Sequence, residues 1–254
     1  MKYMGSKSRI IDSIAPIIQA YVDASEMRYY YEPFCGGCNV IDHIRASERY
    51  AADNQKYLIA LYQNLDKVND LPAFVTKDHY DAVRNCYHSG SGRFEDWYIG
   101  AIGFLASYNG RFFDGGYAGL AQTKVGTERN YYVEAVQNLK RQIPRLSGVN
   151  FQCLDYRETK ELSGVVIYCD PPYVGTKKYG SSKEFDHDVF WDWCREKSKK
   201  NIVIVSEHKA PDDFDCIWET TIKRTIDNNK RIDVKERLFV KKDAPTIIPA
   251  SKEA

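Results

Sequence analysis

The chain has 254 residues, of which 43% are apolar and 28% charged, and a formal net charge of +1. That apolar content supports a real buried core, and the length fits one large domain or a core with an inserted lobe. No stretch approaches the length of a bilayer span and the start lacks an apolar secretory region, so neither a membrane span nor export is expected; the near-neutral charge leaves a nucleic-acid partner open. Seven cysteines, an odd number scattered along the chain, fit reduced thiols in a cytosol. Cys35 and Cys38 have a CxxC spacing but no second pair, which points to ordinary thiols rather than a metal or redox site.

In chain order, residues 28–34 read as a strand, Gly36-Gly37 as a turn and residues 40–46 as a helix. Residues 49–53 read as a short strand ending in an acid, and 55–65 as a helix. This order is the front half of a nucleotide-binding α/β unit. Adjacent glycines let the backbone approach a ligand closely, and a helix after them would offer free amide donors. Asp53, at the end of the second strand, is placed to accept from ribose hydroxyls. Each feature also has an ordinary reading: a simple turn at Gly36-Gly37, and a helix cap at Asp53. No GxGxxG fingerprint is present.

From about residue 60 to 146 the pattern turns helical, with stretches at 77–87, 94–106 and 128–142. Between the last two lies a segment rich in glycine and aromatics, 107–119, in which Tyr108, Phe112, Phe113 and Tyr117 accompany Arg111. It reads as a loop or hairpin that enters a groove, or as a packed hairpin. Strand-like runs return at 150–153, 165–169, 201–206, 215–219 and 238–241. An α/β sheet interrupted by a mainly helical lobe is the simplest arrangement.

The tetrapeptide Asp170-Pro171-Pro172-Tyr173 follows the apolar run Val165–Cys169. An acid, two rigid prolines and an aromatic are thereby fixed at the carboxyl end of a buried strand, where open α/β sheets bind ligands. The chemistry suits a planar amino group. A carboxylate and a proline carbonyl can accept its two N–H bonds, and the Tyr173 ring can stack on a heterocycle; the competing reading of Tyr173 is a core tyrosine with a satisfied hydroxyl. Asp155-Tyr156 follows the 150–153 run, so that acid could receive an adenine amino group or be a turn residue. His208, at another strand end, is read as structural rather than as a general base. Lys223, Arg224, Lys230, Arg231, Lys235, Arg237, Lys241 and Lys242 outnumber Asp227, Asp233 and Glu236 in the last strand-like region. Such a cluster tracks phosphates or forms a solvated surface.

Taken together, these residues resemble the Dam-type branch of the DNA adenine-N6 methyltransferases of bacteria and their phages. Lys2-Tyr3-Met4-Gly5-Ser6-Lys7 is similar to its N-terminal K-aromatic-x-G-[GS]-K element, and Glu32-Pro33-Phe34-Cys35-Gly36 to its E-P-F-x-G loop. Ala52-Asp53-Asn54 with Leu58-Ile59 and Leu61-Tyr62 resembles its acid and following helix, with the asparagine shifted locally. Asp170 to Tyr173 resembles its catalytic motif, Tyr108-Asn109-Gly110 the Y/F-N-G of its recognition lobe, and 224–238 its late basic segment ending in an E-x-L strand. Cys38 stands where the family often has glycine, and the lobe matches only at scattered positions.

The resemblance implies a Rossmann-like class I methyltransferase sheet with helices on both faces, formed by 1–58 and 147–254, plus an inserted target-recognition lobe at 59–146. It implies S-adenosylmethionine as cofactor and no metal. Tyr3, Met4, Gly5 and Lys7 would border the cofactor, Phe34, Cys35, Gly36 and Gly37 would hold its methionine part, Asp53 its ribose, and Asp155 its adenine amino group beside Tyr156. Asp170, Pro171, Pro172 and Tyr173 would carry catalysis, Asp170 also lying against the cofactor. Lys2, Asn109 and Arg111 would approach double-stranded DNA, and Arg224, Asn228, Lys230 and Arg231 its backbone. The implied activity is methylation of a flipped adenine by a monomer in a bacterial or phage-infected cytosol, as in restriction–modification. Cytosine-N4 transfer is the nearest rival, although those enzymes usually carry Ser at position 170; methylation of RNA or of a protein amide, by enzymes that tend to carry Asn there and lack the lobe, and a catalytically inactive DNA-binding relative are the others.

Overall fold

The computed structural model describes residues 1–122, 126–173, 185–227, 230–245 and 247, with the backbone alone at 224–227 and 230–232. Helix α1 (Ile11–Ala24) precedes strand β1 (Tyr29–Glu32), strand β2 (Glu48–Asp53) and helix α2 (Lys56–Gln63). Helices α3 (Lys77–Ser89) and α4 (Asp96–Leu105) follow, then the short strands β3 (Leu120–Gln122) and β4 (Glu128–Asn130), helix α5 (Tyr131–Gln142) and strand β5 (Val149–Cys153). The chain continues with β6 (Val165–Cys169), α6 (His187–Ser198), β7 (Ile202–Glu207), β8 (Phe214–Asp227) and β9 (Lys230–Lys241). Strands and helices alternate about a mixed sheet, with extra helical elements, an arrangement consistent with a Rossmann-like class I methyltransferase fold.

Contacts divide the chain into two compact units. One comprises Met1–Asp12, Cys35–His43 and Tyr50–Tyr156, the other Ser13–Phe34, Ile44–Arg49 and Arg157–Ala254. In the second unit the strand order is β1-β6-β7-β9-β8. β1 and β6 run parallel with Tyr31 opposite Ile167, and β6 and β7 run parallel with Cys169 opposite Val205. β9 then inserts antiparallel between β7 and β8. All five residues of β6 are buried, as expected for a parallel strand covered on both faces. Helix α1 buries Ile14, Ile17, Ile18, Tyr21 and Val22, a stripe at helical spacing.

In the first unit β5 lies beside β2. Helices α2 and α4 approach so closely that a Cβ on Gly100 would collide with the Tyr57 carbonyl. Around them the rings of Tyr57, Tyr80, Tyr87, Phe112 and Phe113 form an aromatic cluster with centroids about 5 to 6 Å apart. The 107–119 segment is thus partly core: Phe113 is buried and Phe112 stacks on Tyr57, while Tyr108 is exposed.

Several expectations are corrected. Residues 40–46 are not a helix but a single 3-10 turn, Ile41–His43. Asp42 is buried there and bonded to Arg145, whose Nη2 lies 2.8 Å away, and that tie holds the backbone out of a regular helix. Residues 128–130 pair with β3 instead of starting α5, because Asn130 caps the helix by accepting from the Val133 amide. β8 and β9 run far beyond 215–219 and 238–241. Helices α1 and α6 complete the order. All seven cysteines are free thiols. Among the described residues no helix is long and apolar enough to cross a membrane, and no group of three or more His, Cys, Asp or Glu residues could hold a metal ion.

Candidate active site

In the second unit, the parallel register of β1 and β6 brings Pro33-Phe34 and Asp170 to Tyr173 out at the same end of the sheet. The end of β7, Ser206-Glu207-His208, emerges beside them. This is the carboxyl edge of adjacent parallel strands, the place where open α/β sheets take ligands. Asp170 is half-buried, Pro171 buried, Pro172 exposed and Tyr173 half-buried. Phe34 packs its ring edge-on against Phe185 and Phe190, with centroids 5.9 and 5.7 Å away.

Tyr173 is held by its hydroxyl. The oxygen lies 2.9 Å from Ser206 Oγ and donates to Glu236 Oε2 at 2.8 Å. Its ring meets His208 at 4.5 Å and 77°. Burial, and then the negative charge of Asp170 and Glu236, push the phenol far above its usual range, so it stays a neutral donor. The core-tyrosine reading is therefore half right: the hydroxyl is satisfied, yet the ring is not fully enclosed. His208 has its Nδ1 2.7 Å from the Lys235 carbonyl and its own carbonyl accepting from Arg237. Beneath the tetrapeptide, Tyr30 donates to the buried carboxylate of Glu32 at 2.6 Å.

In the first unit the glycine loop is fixed from several sides. The Cys35 amide donates to the Ala52 carbonyl at 2.9 Å and the Gly36 amide to Asp53 Oδ2 at 3.1 Å. Tyr62 donates to the Gly36 carbonyl, and Gln142 Nε2 donates to the carbonyls of Gly37 and Cys38. Gly36 has φ +44°, in the region that favours glycine, and its added Cβ would meet the Tyr3 ring at 2.8 Å. A Cβ on Gly37 would meet Tyr3 Cβ at 2.7 Å and the Asn39 amide nitrogen. Glycine is thus required here because Tyr3 lies on the loop. Lys7 is buried, Met4 half-buried and Gly5 exposed.

Asp53 does not cap α2; Gln55 does, accepting from the Tyr57 amide. The Asp53 oxygens instead take the Gly36 and Gln55 amides, and burial raises its pKa against those bonds. The Leu154 amide donates to the Asp53 carbonyl at 3.2 Å, so Asp155 follows directly on a strand end tied to Asp53. Tyr156 beside it is buried. A carboxylate offers about four acceptor positions, so Asp53 keeps capacity for hydroxyl donors after the two loop amides. A glycine loop without side chains, an acid with remaining lone pairs and a second acid nearby fit a nucleoside-bearing cofactor.

Lys2, Tyr108, Asn109, Gly110 and Tyr131 help line a recess of about 40 Å³ in the same unit. Asn109 is exposed with φ +56°, a left-handed turn that asparagine tolerates, and Lys2 places its ammonium 5.5 Å from the Tyr131 ring centroid. Arg111 is half-buried. Of the late basic cluster, Lys235 and Arg237 pair across the strands with Glu219 at 3.1 and 2.9 Å. Arg224, Lys230 and Arg231 lie on the β8–β9 ribbon by backbone only, and Asn228 lies outside the described residues. Sequence reasoning missed Tyr62, Gln142, Ser206 and Glu236. Glu236 could have been found as an acid between apolar Val234 and Leu238 in an alternating strand.

Residues 3–88 match the family described as D12 class N6 adenine-specific DNA methyltransferase. No curated protein sequence matches the chain. Among solved structures, a Pyrococcus horikoshii protein assigned as an RNA methyltransferase, PH1948, is 17% identical; the match covers 42% of this chain and 57% of that one, with a TM-score of 0.27.

Proposed function

We propose that this protein is an S-adenosylmethionine-dependent DNA adenine-N6 methyltransferase acting on a flipped adenine in double-stranded DNA. The observation that carries the reading is the common exit of Pro33-Phe34 and Asp170 to Tyr173 from the paired parallel strands β1 and β6. The family match over residues 3–88 supports it, since it spans the loop and Asp53.

When bound, the cofactor supplies an activated methyl group. Tyr3, Met4, Gly5, Lys7 and residues 34–37 would hold it, with Asp53 on the ribose and Asp155 on the adenine amino group beside Tyr156. The target adenine nitrogen is a poor nucleophile because its lone pair is delocalised into the ring. Asp170 and the Pro171 carbonyl would each accept one N–H bond and favour a more tetrahedral nitrogen. The carboxylate also stabilises positive charge developing there. Holding the amino group in line supplies much of the remaining acceleration. Extracting the base costs a few kcal/mol, and stacking on Tyr173, worth about 1–3 kcal/mol, offsets part of that.

Residues 59–146 would serve as the recognition lobe, with Lys2, Asn109 and Arg111 toward the base pairs and Arg224, Asn228, Lys230 and Arg231 toward phosphates. A monomer working in a cytosol is the matching setting. Expression in a host lacking DNA methylation, followed by modified-base mapping, tests this directly. The expected result is 6-methyladenine at one short sequence; unmodified adenine throughout, or N4-methylcytosine, overturns it.

A further inference from the structure

The two-residue period of the strands lines up a buried polar stripe on one face of the second unit. Tyr30 lies opposite Val166, Tyr168 opposite Ile204, and Ser206 opposite Leu238. Glu32, two residues beyond Tyr30, and Glu236, two residues before Leu238, extend the stripe at its ends. Ser206 is 1% exposed, Glu32 2% and Glu236 6%. A buried carboxylate on a strand is costly unless it has a task and a partner. Glu236 Oε2 accepts a hydrogen bond from the Tyr173 hydroxyl.

We propose that Glu236 and Ser206 are positioning residues that orient Tyr173 for the incoming base. This rests on the adenine-methyltransferase reading for what Tyr173 does, but not for how it is held. Ser206 Oγ lies 2.9 Å from the phenolic oxygen, which donates to Glu236 Oε2 at 2.8 Å. The two contacts come from different strands, β7 and β9, and so hold the phenolic oxygen, and with it the depth of the ring, from two sides. His208, itself 2.7 Å from the Lys235 carbonyl, closes a third side. A ring fixed in advance loses less freedom when a base stacks on it than a ring that must be ordered by the base. The anchor acts through Tyr173 and touches neither base nor cofactor.

Two measurements on the full chain test it. The motional order of the Tyr173 ring, read by NMR relaxation on ¹³C-labelled tyrosine, is expected to be high in the wild type and in Glu236→Gln, which keeps an acceptor. It is expected to fall in Glu236→Ala. In turnover assays on DNA, Tyr173→Phe and Glu236→Ala should each lower kcat roughly tenfold with cofactor affinity held. Glu236→Gln should stay within about threefold, and the double variant should be no worse than the worse single one. Additive losses, a Tyr173 ring as ordered in Glu236→Ala as in the wild type, or a Tyr173→Phe enzyme with wild-type kcat overturn the anchoring role. If Glu236→Ala fails to fold, Tyr173→Phe and Glu236→Gln decide alone. A wild type with an ordered Tyr173 ring that makes no 6-methyladenine leaves the anchor standing and removes the methyltransferase reading.

Discussion

At the residue scale, the proposed chemistry turns on a few groups whose neighbours fix their state. Asp170 follows a wholly buried strand and sits half-buried. Asp170→Ala is expected to keep measurable cofactor binding and lose methyl transfer by at least about a hundredfold, in line with removal of a preorganised charge-stabilising group. Equilibrium binding of cofactor beside single-turnover transfer checks this, and near-normal turnover contradicts the assignment. Gly37 is constrained differently. Its missing Cβ leaves room for Tyr3 and Asn39, so Gly37→Ala is expected to push the loop off Tyr3. Calorimetry should show cofactor affinity falling by roughly tenfold or more, an effect of about 1.4 kcal/mol. Unchanged affinity would mean that the loop does not contact the cofactor.

At the scale of elements, α2 and α4 meet at Gly100 and α6 begins at a half-buried histidine. Alanine at an open helical position stabilises relative to glycine by roughly 0.5–1 kcal/mol. Gly100→Ala is instead expected to destabilise by about 1–3 kcal/mol in urea unfolding, because its Cβ would strike the Tyr57 carbonyl. A stabilised variant would show that the helices stand farther apart. Burial lowers the pKa of His187 below its usual 6.5. The unfolded chain therefore binds the proton more readily, so this contribution is complete above 6.5 and is lost as pH falls through the lowered folded value. His187→Gln should flatten that acid-side loss in pH-dependent denaturation; an unaltered profile would show that the histidine is solvated. The same elements show what the sequence could tell. β6 and its tetrapeptide were legible because five consecutive buried residues leave no ambiguity of period. α1 was not, although Ile14, Ile17, Ile18, Tyr21 and Val22 carry a helical stripe, because Pro16 interrupts the pattern. The outer parts of β8 and β9 are held by a cross-strand ladder and pairs such as Glu219 with Arg237, which hydropathy does not register. The helix expected at 40–46 failed because a distant residue, Arg145, draws Asp42 inward.

At the scale of the whole molecule, each compact unit holds its own share of the proposed chemistry. The first holds the glycine loop, Asp53 and Asp155; the second holds Phe34 and the Asp170–Tyr173 tetrapeptide with its buried anchor. The meeting of the glycine loop with Asp53 was readable from spacing, because Gly36-Gly37 and Asp53 are close in sequence. The anchor was not, because Tyr173, Ser206 and Glu236 come from three separate parts of the chain and meet only through strand pairing. The most direct measurement is transfer from isotopically labelled S-adenosylmethionine to unmethylated duplex DNA by the purified protein, with digestion to nucleosides and identification of the labelled product. Label in N6-methyldeoxyadenosine, abolished by Asp170→Ala, is the expected result. Label in a cytosine nucleoside, or DNA binding without any label, would contradict it.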